Sequence, residues 1–310
     1  MRIALIGSNG QLGSDLLPRL RAAGHNVFPF RHADIEITDA ANATIALEPL
    51  MPDLVLNTAA YNLVDKAEDE PDAANEVNAI GPFNLARLCE DNGWRLMHIS
   101  TDYVFGHATP GLVGPNQTAG ENVQAWTETD QPEPLGKYGR SKRGGELAVV
   151  ATCSQHFVVR TCGLYGFAAL YGGGKGNFVE TMLRLGRERK QLRVVDDQRC
   201  TPTSTADLAD ALVKLIATDA FGLYHATNSG SMTWCEFACE IFRLAKMNVE
   251  LIPITTAEFG SKAKRPAFSV LDCSKLATII GGPLPDWHDA LARYLANRAA
   301  SNSFPGGTQS

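Results

Sequence analysis

Arg2-Ile3-Ala4-Leu5-Ile6-Gly7-Ser8-Asn9-Gly10-Gln11-Leu12-Gly13-Ser14-Asp15-Leu16-Leu17 stands at the head of this 310-residue chain. The apolar run before Gly7 reads as a buried parallel strand, and the stretch from Leu12 opens a helix. A strand, a tight glycine turn and a helix N-terminus together make a diphosphate cradle. Gly7 allows the turn, Gly10 lets a phosphate approach the backbone, Gly13 lets the helix pack on the sheet, and the free N–H groups of the first turn meet the anion. The spacing is Gly-x-x-Gly-x-x-Gly, and taken alone it also fits an ordinary strand-to-helix turn. Working outward, strands near residues 2–6, 26–30, 53–57, 94–100 and 156–161 alternate with helical runs. That alternation points to an α/β protein with a Rossmann-type, doubly wound parallel sheet. Pro18 and Gly81-Pro82 fall inside helical runs and are expected to kink them.

Two further stretches carry chemistry: Ile99-Ser100-Thr101-Asp102-Tyr103, which closes a predicted strand, and Tyr138-Gly139-Arg140-Ser141-Lys142, which opens a predicted helix. Tyr138 and Lys142 share a helix face ~6 Å apart along the axis. A phenol that titrates near ~10 is a poor proton donor-acceptor at neutral pH. An ammonium beside it, helped by the positive ring of an oxidised nicotinamide, is expected to lower that value. Thr101, at the carboxyl end of its strand, faces the ligand crevice of an open parallel sheet and can orient a carbonyl. Each feature has a plainer reading: a surface i,i+4 pair for Tyr138 and Lys142, a locally satisfied hydroxyl for Thr101. The glycine turn upstream favours a site. A second Tyr-x-x-x-Lys pair, Tyr171 and Lys175, spans three glycines costing ~1 kcal/mol each in a helix, so a loop is expected there.

The phrases around these residues resemble the dTDP-4-dehydrorhamnose reductase family of extended short-chain dehydrogenase/reductases. They include Asn57-Thr58-Ala59-Ala60-Tyr61, Ser100-Thr101-Asp102-Tyr103-Val104-Phe105, Gly176-Asn177-Phe178 and Gly222-Leu223-Tyr224-His225, and the similarity runs from Met1 to about Tyr294. The resemblance implies a catalytic triad of Thr101, Tyr138 and Lys142, with Lys142 also holding the nicotinamide ribose. It implies Gly7, Asn9, Gly10, Gln11 and Leu12 at the diphosphate, Ala59, Ala60 and Tyr61 at the ribose edge, Asp34 and Ile35 at the adenine, and Asn78 and Ser100 near the cofactor. Asp102, Tyr103, Cys162, Asn177 and Arg265 fall on the substrate side, Arg265 toward a nucleotide phosphate or a loop salt bridge. The implied reaction is reduction of a nucleotide-linked 4-keto sugar. Arg31 follows the second strand, where NAD-specific proteins often carry an acidic residue. An arginine there suits a 2′-phosphate, which favours NADPH and leaves NADH open.

Three departures from the family pattern stand out. Arg160-Thr161-Cys162-Gly163 lacks the tryptophan usual at the fourth position, Pro134-Leu135-Gly136-Lys137 is altered before Tyr138, and the segment between Phe105 and Trp126 is longer than usual. The long segment, residues 107–122 within 106–126, could close as a lid or stay a solvent loop. Two other functions stay open: a cofactor-binding regulatory subunit resembling the methionine adenosyltransferase beta subunit, with which the missing indole is compatible, and an NAD-retaining epimerase or dehydratase.

With 45% hydrophobic residues and a net charge of −6, the chain can bury a sizeable core and carries no basic footprint for nucleic acid. No run approaches the ~18 apolar residues of a membrane span, so a cytoplasmic protein is expected. Seven cysteines without a Cys-x-x-Cys spacing read as reduced thiols, and no metal site is expected. Residues 1–165 should form mainly the cofactor domain and 166–298 mainly a substrate lobe built from helices near 177–189, 205–217 and 233–245, with the chain crossing between lobes. Residues 299–310 should be a disordered tail. A homodimer is compatible with the sequence.

Overall fold

The computed structural model describes residues 1–106, 124–170 and 176–302. The first half alternates β1 (Arg2–Ile6), α1 (Gln11–Ala22), β2 (Asn26–Phe30), α2 (Ala40–Leu47), β3 (Leu54–Asn57), α3 (Pro71–Asn75), α4 (Gly81–Asn92), β4 (Arg95–Thr101), α5 (Lys137–Thr152) and β5 (His156–Thr161). Then come α6 (Phe178–Glu188), β6 (Gln191–Val195), β7 (Arg199–Cys200), α7 (Thr205–Ile216), β8 (Gly222–His225), β9 (Met232–Thr233), α8 (Trp234–Leu244), β10 (Glu250–Ile254), α9 (Thr256–Phe259), α10 (Ser274–Ile280) and α11 (Trp287–Asn302).

Six strands form one sheet in the order β2-β1-β3-β4-β5-β8, every pair parallel. Ile3, Ala4, Leu5 and Ile6 are all but sealed from solvent, as a strand covered on both faces must be. Leu16 and Leu20 of α1 and Leu208 and Leu212 of α7 cover one face, while Leu47, Leu85 and Val149 of α2, α4 and α5 cover the other. The strand order reverses at β1, so the carboxyl ends of β1 and β3 flank a topological switch point, where open parallel sheets bind ligands.

A smaller lobe packs α6, α8 and α11 against the parallel pair β6–β10, around Val179, Leu183, Phe237 and Ile241. Its helix α8 starts with the expected capping box. Thr233 Oγ1 accepts from Glu236 N at 3.1 Å, and Thr233 N donates to the Glu236 carboxylate at 2.8 Å.

Three features differ from the sequence reading. The helix expected at 205–217 belongs to the sheet layer, packed on α1, and β8 supplies a sixth strand, so the chain returns from the lobe to complete the first domain. Residues 299–302 continue α11 and are helical. The Gly81-Pro82 stretch begins α4 after a π-helical turn at Glu76–Ile80, which absorbs the extra residue before the proline. The candidate lid at 107–122, the Tyr171–Lys175 pair and the end of the tail lie outside the described residues. Among the described residues no helix is long and apolar enough to cross a membrane.

Candidate active site

The glycine turn has the geometry its spacing implies. Gly7 sits at φ +79°, and a Cβ there would lie 2.6 Å from Thr58 Oγ1, at the switch point. A Cβ on Gly13 would lie 2.2 Å from Gly7 O, so only glycine lets α1 start this close to β1. Gly10 differs, because among the described residues its added Cβ would meet only Gly7 O, 3.2 Å away. Gly10 is also the N-cap of α1 and has no side chain to satisfy the first-turn N–H groups. An anion is the natural partner for such a terminus, and the residues present therefore fit a dinucleotide's diphosphate.

Several expected cofactor residues have side chains engaged with the protein itself. Leu12 is buried in the core beside α7, which leaves its N–H for a ligand. Gln11 spans the two lobes: its Oε1 accepts from Gly166 N at 2.9 Å and Asn177 Nδ2 at 3.0 Å, and its Nε2 donates to Gly176 O at 3.1 Å. Ile35 buries its side chain with Ile6 and Ile37 in the core. Ala59 and Ala60 emerge at the end of β3, with Ala59 N held by Asn57 Oδ1 at 3.1 Å. Asn9 is exposed beside them in the turn. Arg31 is exposed and forks onto Asp34, with Nε 3.0 Å from Oδ2. Each holds the other in its charged form, the arginine raised and the carboxyl lowered mainly by their hydrogen bond.

Asn78, inside the π-helical turn, is fully buried. Its Oδ1 accepts from Tyr61 N at 2.9 Å, and its Nδ2 donates to Tyr61 O at 2.9 Å and Ser141 Oγ at 3.0 Å. It therefore fixes the segment after β3 to α5, one turn from Tyr138. The helices also meet backbone to backbone here. A Cβ on Gly145 would lie 2.1 Å from Asn78 O, and one on Gly139 2.3 Å from Tyr103 O. The glycines that weaken α5 by propensity are what let it sit against the site.

At the end of β4, Thr101 Oγ1 donates to Asp102 Oδ1 at 3.1 Å and accepts from Tyr103 N at 3.2 Å. Tyr138 stands edge-on to Tyr103, ring centroids 5.9 Å apart. Burial pushes the Tyr138 phenol up to about 12, and its hydrogen bond with Thr101 pulls the other way. The Lys142 ammonium is buried, and burial brings it down to about 8. Its Nζ donates to Ile99 O at 2.6 Å and lies 3.4 Å from His98 Nε2. The sequence reading had the ammonium lowering the phenol. The structure instead raises the phenol, because burial outweighs every other influence and Lys142 is directed at the β4 carbonyl.

On the substrate side the grouping is uneven. Asp102 is buried, its Oδ2 accepting from Ser269 Oγ at 2.6 Å, and burial raises its carboxyl. Cys162 is buried within reach of Asp102 and Cys200, and hydrogen bonding to Cys200 together with burial pushes its thiol well up. Arg265 grips Asp65 through Nη2 at 2.7 Å and Nη1 at 3.1 Å, and also reaches the Tyr103 phenol. Thr101, Asp102, Tyr103, Tyr138, Cys162 and Arg265 are thus contiguous. Asn177 is not free for substrate, since its Oδ1 caps α6 by accepting from Glu180 N at 2.9 Å and its Nδ2 bonds Gln11. Ser100 likewise turns away from the crevice and donates to Glu146 Oε1 at 2.6 Å.

That glutamate belongs to a buried assembly the sequence reading missed. Arg160 Nε and Nη2 donate to the two Glu146 oxygens, both at 2.8 Å, and Arg160 Nη1 lies 3.3 Å from His225 Nε2. Burial drives the Glu146 carboxyl upward, but the Arg160 fork, joined by Ser100 and Arg143, outweighs it and the group stays ionised. The signal was the spacing: Tyr138, Lys142 and Glu146 step by four along one helix face.

Among known proteins, the chain matches the family model for the RmlD substrate binding domain over residues 1–300. It is 39% identical over 297 residues to a dTDP-4-dehydrorhamnose reductase of Streptomyces griseus, covering 94% of this chain and 91% of that one. It is 37% identical over 301 residues to the Bacillus subtilis spore coat polysaccharide biosynthesis protein SpsK, covering 97% and 99%. The crystal structure of a Bacillus anthracis dTDP-4-dehydrorhamnose reductase in complex with NADP superposes with a TM-score of 0.85 at 38% identity, covering 96% of this chain and 99% of that one. With the family pattern carried across almost its whole length, the chain belongs to the dTDP-4-dehydrorhamnose reductase family.

Proposed function

We propose that this protein reduces the C4 carbonyl of a dTDP-linked 4-keto-6-deoxy sugar at the expense of NADPH, with Tyr138 as the proton donor. The observation that carries the reading is the grouping at the end of β4, where the Tyr138 phenol is hydrogen-bonded to Thr101 and Lys142 stands one helical turn further along α5. Pushed up to about 12, the phenol holds its proton at neutral pH until a stronger base, the forming alkoxide, takes it. When bound, the dihydronicotinamide supplies the hydride for C4. Tyr138 gives its proton to the oxygen as the C–H bond forms, and the Thr101 hydroxyl beside it, once turned from Asp102, donates to the carbonyl and orients it. Lys142, at about 8, is mostly protonated at neutral pH, and its Nζ ties the helix that carries Tyr138 to Ile99 O beside Thr101. Gln11 and Asn177 hold the glycine turn to the smaller lobe, so the cofactor and sugar sides are registered to each other.

NADPH is favoured over NADH because Arg31 is exposed after β2 and its charge partner among the described residues is the exposed Asp34, which a 2′-phosphate can displace. Arg31→Ala should raise the KM for NADPH about tenfold, ~1.4 kcal/mol, and leave that for NADH unchanged. Following NADPH absorbance with a panel of nucleotide-linked 4-keto sugars tests the activity. Tight NADPH binding without turnover of any of them would replace the reductase reading with a regulatory one.

A further inference from the structure

We infer that Trp234 is a specificity-determining residue, its indole face forming the wall against which the apolar face of the substrate's sugar ring packs. This rests on the reductase reading above. Gly163 follows Cys162, which touches Asp102 and acts on Tyr138, so its exposed backbone lies at the sugar end of the crevice. Gly163 carries no side chain, adopts φ +50°, and would place a Cβ 3.1 Å from Trp234 Cη2 and 3.2 Å from Pro202 Cα. The indole thus stands where a side chain at 163 would be.

Exposure and rigidity point the same way. Trp94, Trp126 and Trp287 are 8%, 6% and 7% exposed, whereas Trp234 is half-buried. Trp234 is the first residue of α8, fixed by the Thr233–Glu236 capping box, and its ring packs on Phe178 at 4.7 Å between centroids. Phe178 in turn begins α6, whose cap Asn177 is bonded to Gln11 of the glycine turn. An aromatic held this firmly loses little freedom on binding, and its face suits the C–H bonds and methyl group of a 6-deoxyhexose better than a charged diphosphate.

Acrylamide quenching of intrinsic fluorescence reads this contact, because Trp234 is the accessible indole. A dTDP-linked 6-deoxyhexose should roughly halve the quenching constant while dTDP alone leaves it unchanged, and Trp234→Phe should abolish the sugar-dependent part. In steady state, Trp234→Leu should raise the KM for the keto sugar about tenfold, with kcat held within about threefold and NADPH affinity unchanged. Trp234→Phe should restore most of the KM. Equal protection by dTDP alone would move the indole to the nucleotide and overturn the inference. So would a folded Trp234→Leu variant with an unchanged KM. Should Trp234→Leu fail to fold, the fluorescence comparison on the unaltered protein still decides. Failure to oxidise NADPH with any keto sugar would count against the reductase reading, whereas turnover with a silent indole would count against this inference alone.

Discussion

Replacing Gly145 by alanine sets helix propensity against packing. Propensity alone favours alanine over glycine in a helix interior by ~1 kcal/mol, so a reading of the sequence makes Gly145→Ala stabilising. In the structure the new Cβ would lie 2.1 Å from Asn78 O and 3.3 Å from His98 Nε2. Ordinary contact begins near 3.4 Å, so α5 must withdraw from the π-helical turn by roughly an ångström, against a backbone carbonyl that cannot rotate aside. Overpacking of this kind costs about 1–3 kcal/mol, and stronger clashes more, which exceeds the propensity gain. An approach to 2.1 Å belongs at the upper end of that range, so the net expectation is a loss of about 2 kcal/mol in urea unfolding. Gly144→Ala is the control, because its Cβ meets Ala79 Cβ at 3.2 Å and needs only a small adjustment. Since α5 carries Tyr138 and Lys142, the same displacement should lower kcat by up to about 100-fold, the effect of a ~1 Å misplacement. A Gly145→Ala protein as stable as the parent with undiminished kcat would refute the close-approach argument.

Other perturbations test neighbouring parts of the account. Glu146→Gln removes the countercharge of the buried Arg160 and should cost about 3–5 kcal/mol in chemical denaturation. It should also lower the Lys142 pKa further, moving the alkaline limb of the kcat/KM profile to lower pH, because the Glu146 charge is what raises that lysine against burial. Lys142→Met should abolish turnover yet stabilise the cofactor-free protein at neutral pH. Bringing an ammonium from 10.5 to about 8 corresponds to a penalty of about 3 kcal/mol on its charged form, which the variant escapes. In the parent this penalty is present in full below pH 8 and fades as pH rises from about 8 to 10.5, so the stability difference between the two proteins should shrink across that window.

The legible part of the fold was local. Strands β1 to β5 and the turn after β1 are written in short, consecutive patterns, and the Thr233–Glu236 box marks its own helix. The strand β8 was harder, because a four-residue segment with a glycine start reveals its place only through pairing with β5. The grouping of Thr101, Tyr138 and Lys142 proposed as catalytic could be read from spacing, but not the direction of its electrostatics. That depends on burial and on Nζ reaching Ile99 O across 43 residues of sequence. Asn177 and Ser100 illustrate the same limit. Ser100 precedes Thr101 and Asn177 lies in a stretch that resembles the family, yet their side chains serve a buried carboxylate and a helix cap. The glycines of α5 looked like weaknesses because propensity knows nothing of the backbone that approaches them.

Single-turnover oxidation of bound NADPH by a dTDP-linked 4-keto-6-deoxy sugar, compared between the parent and Tyr138→Phe, isolates the proton transfer on which the mechanism depends. The variant keeps the ring and loses only the hydroxyl, so NADPH affinity should be unchanged while the rate of hydride transfer falls by about 10²–10⁴-fold. A Tyr138→Phe protein that oxidises the cofactor within about tenfold of the parent rate would show that the proton comes from elsewhere.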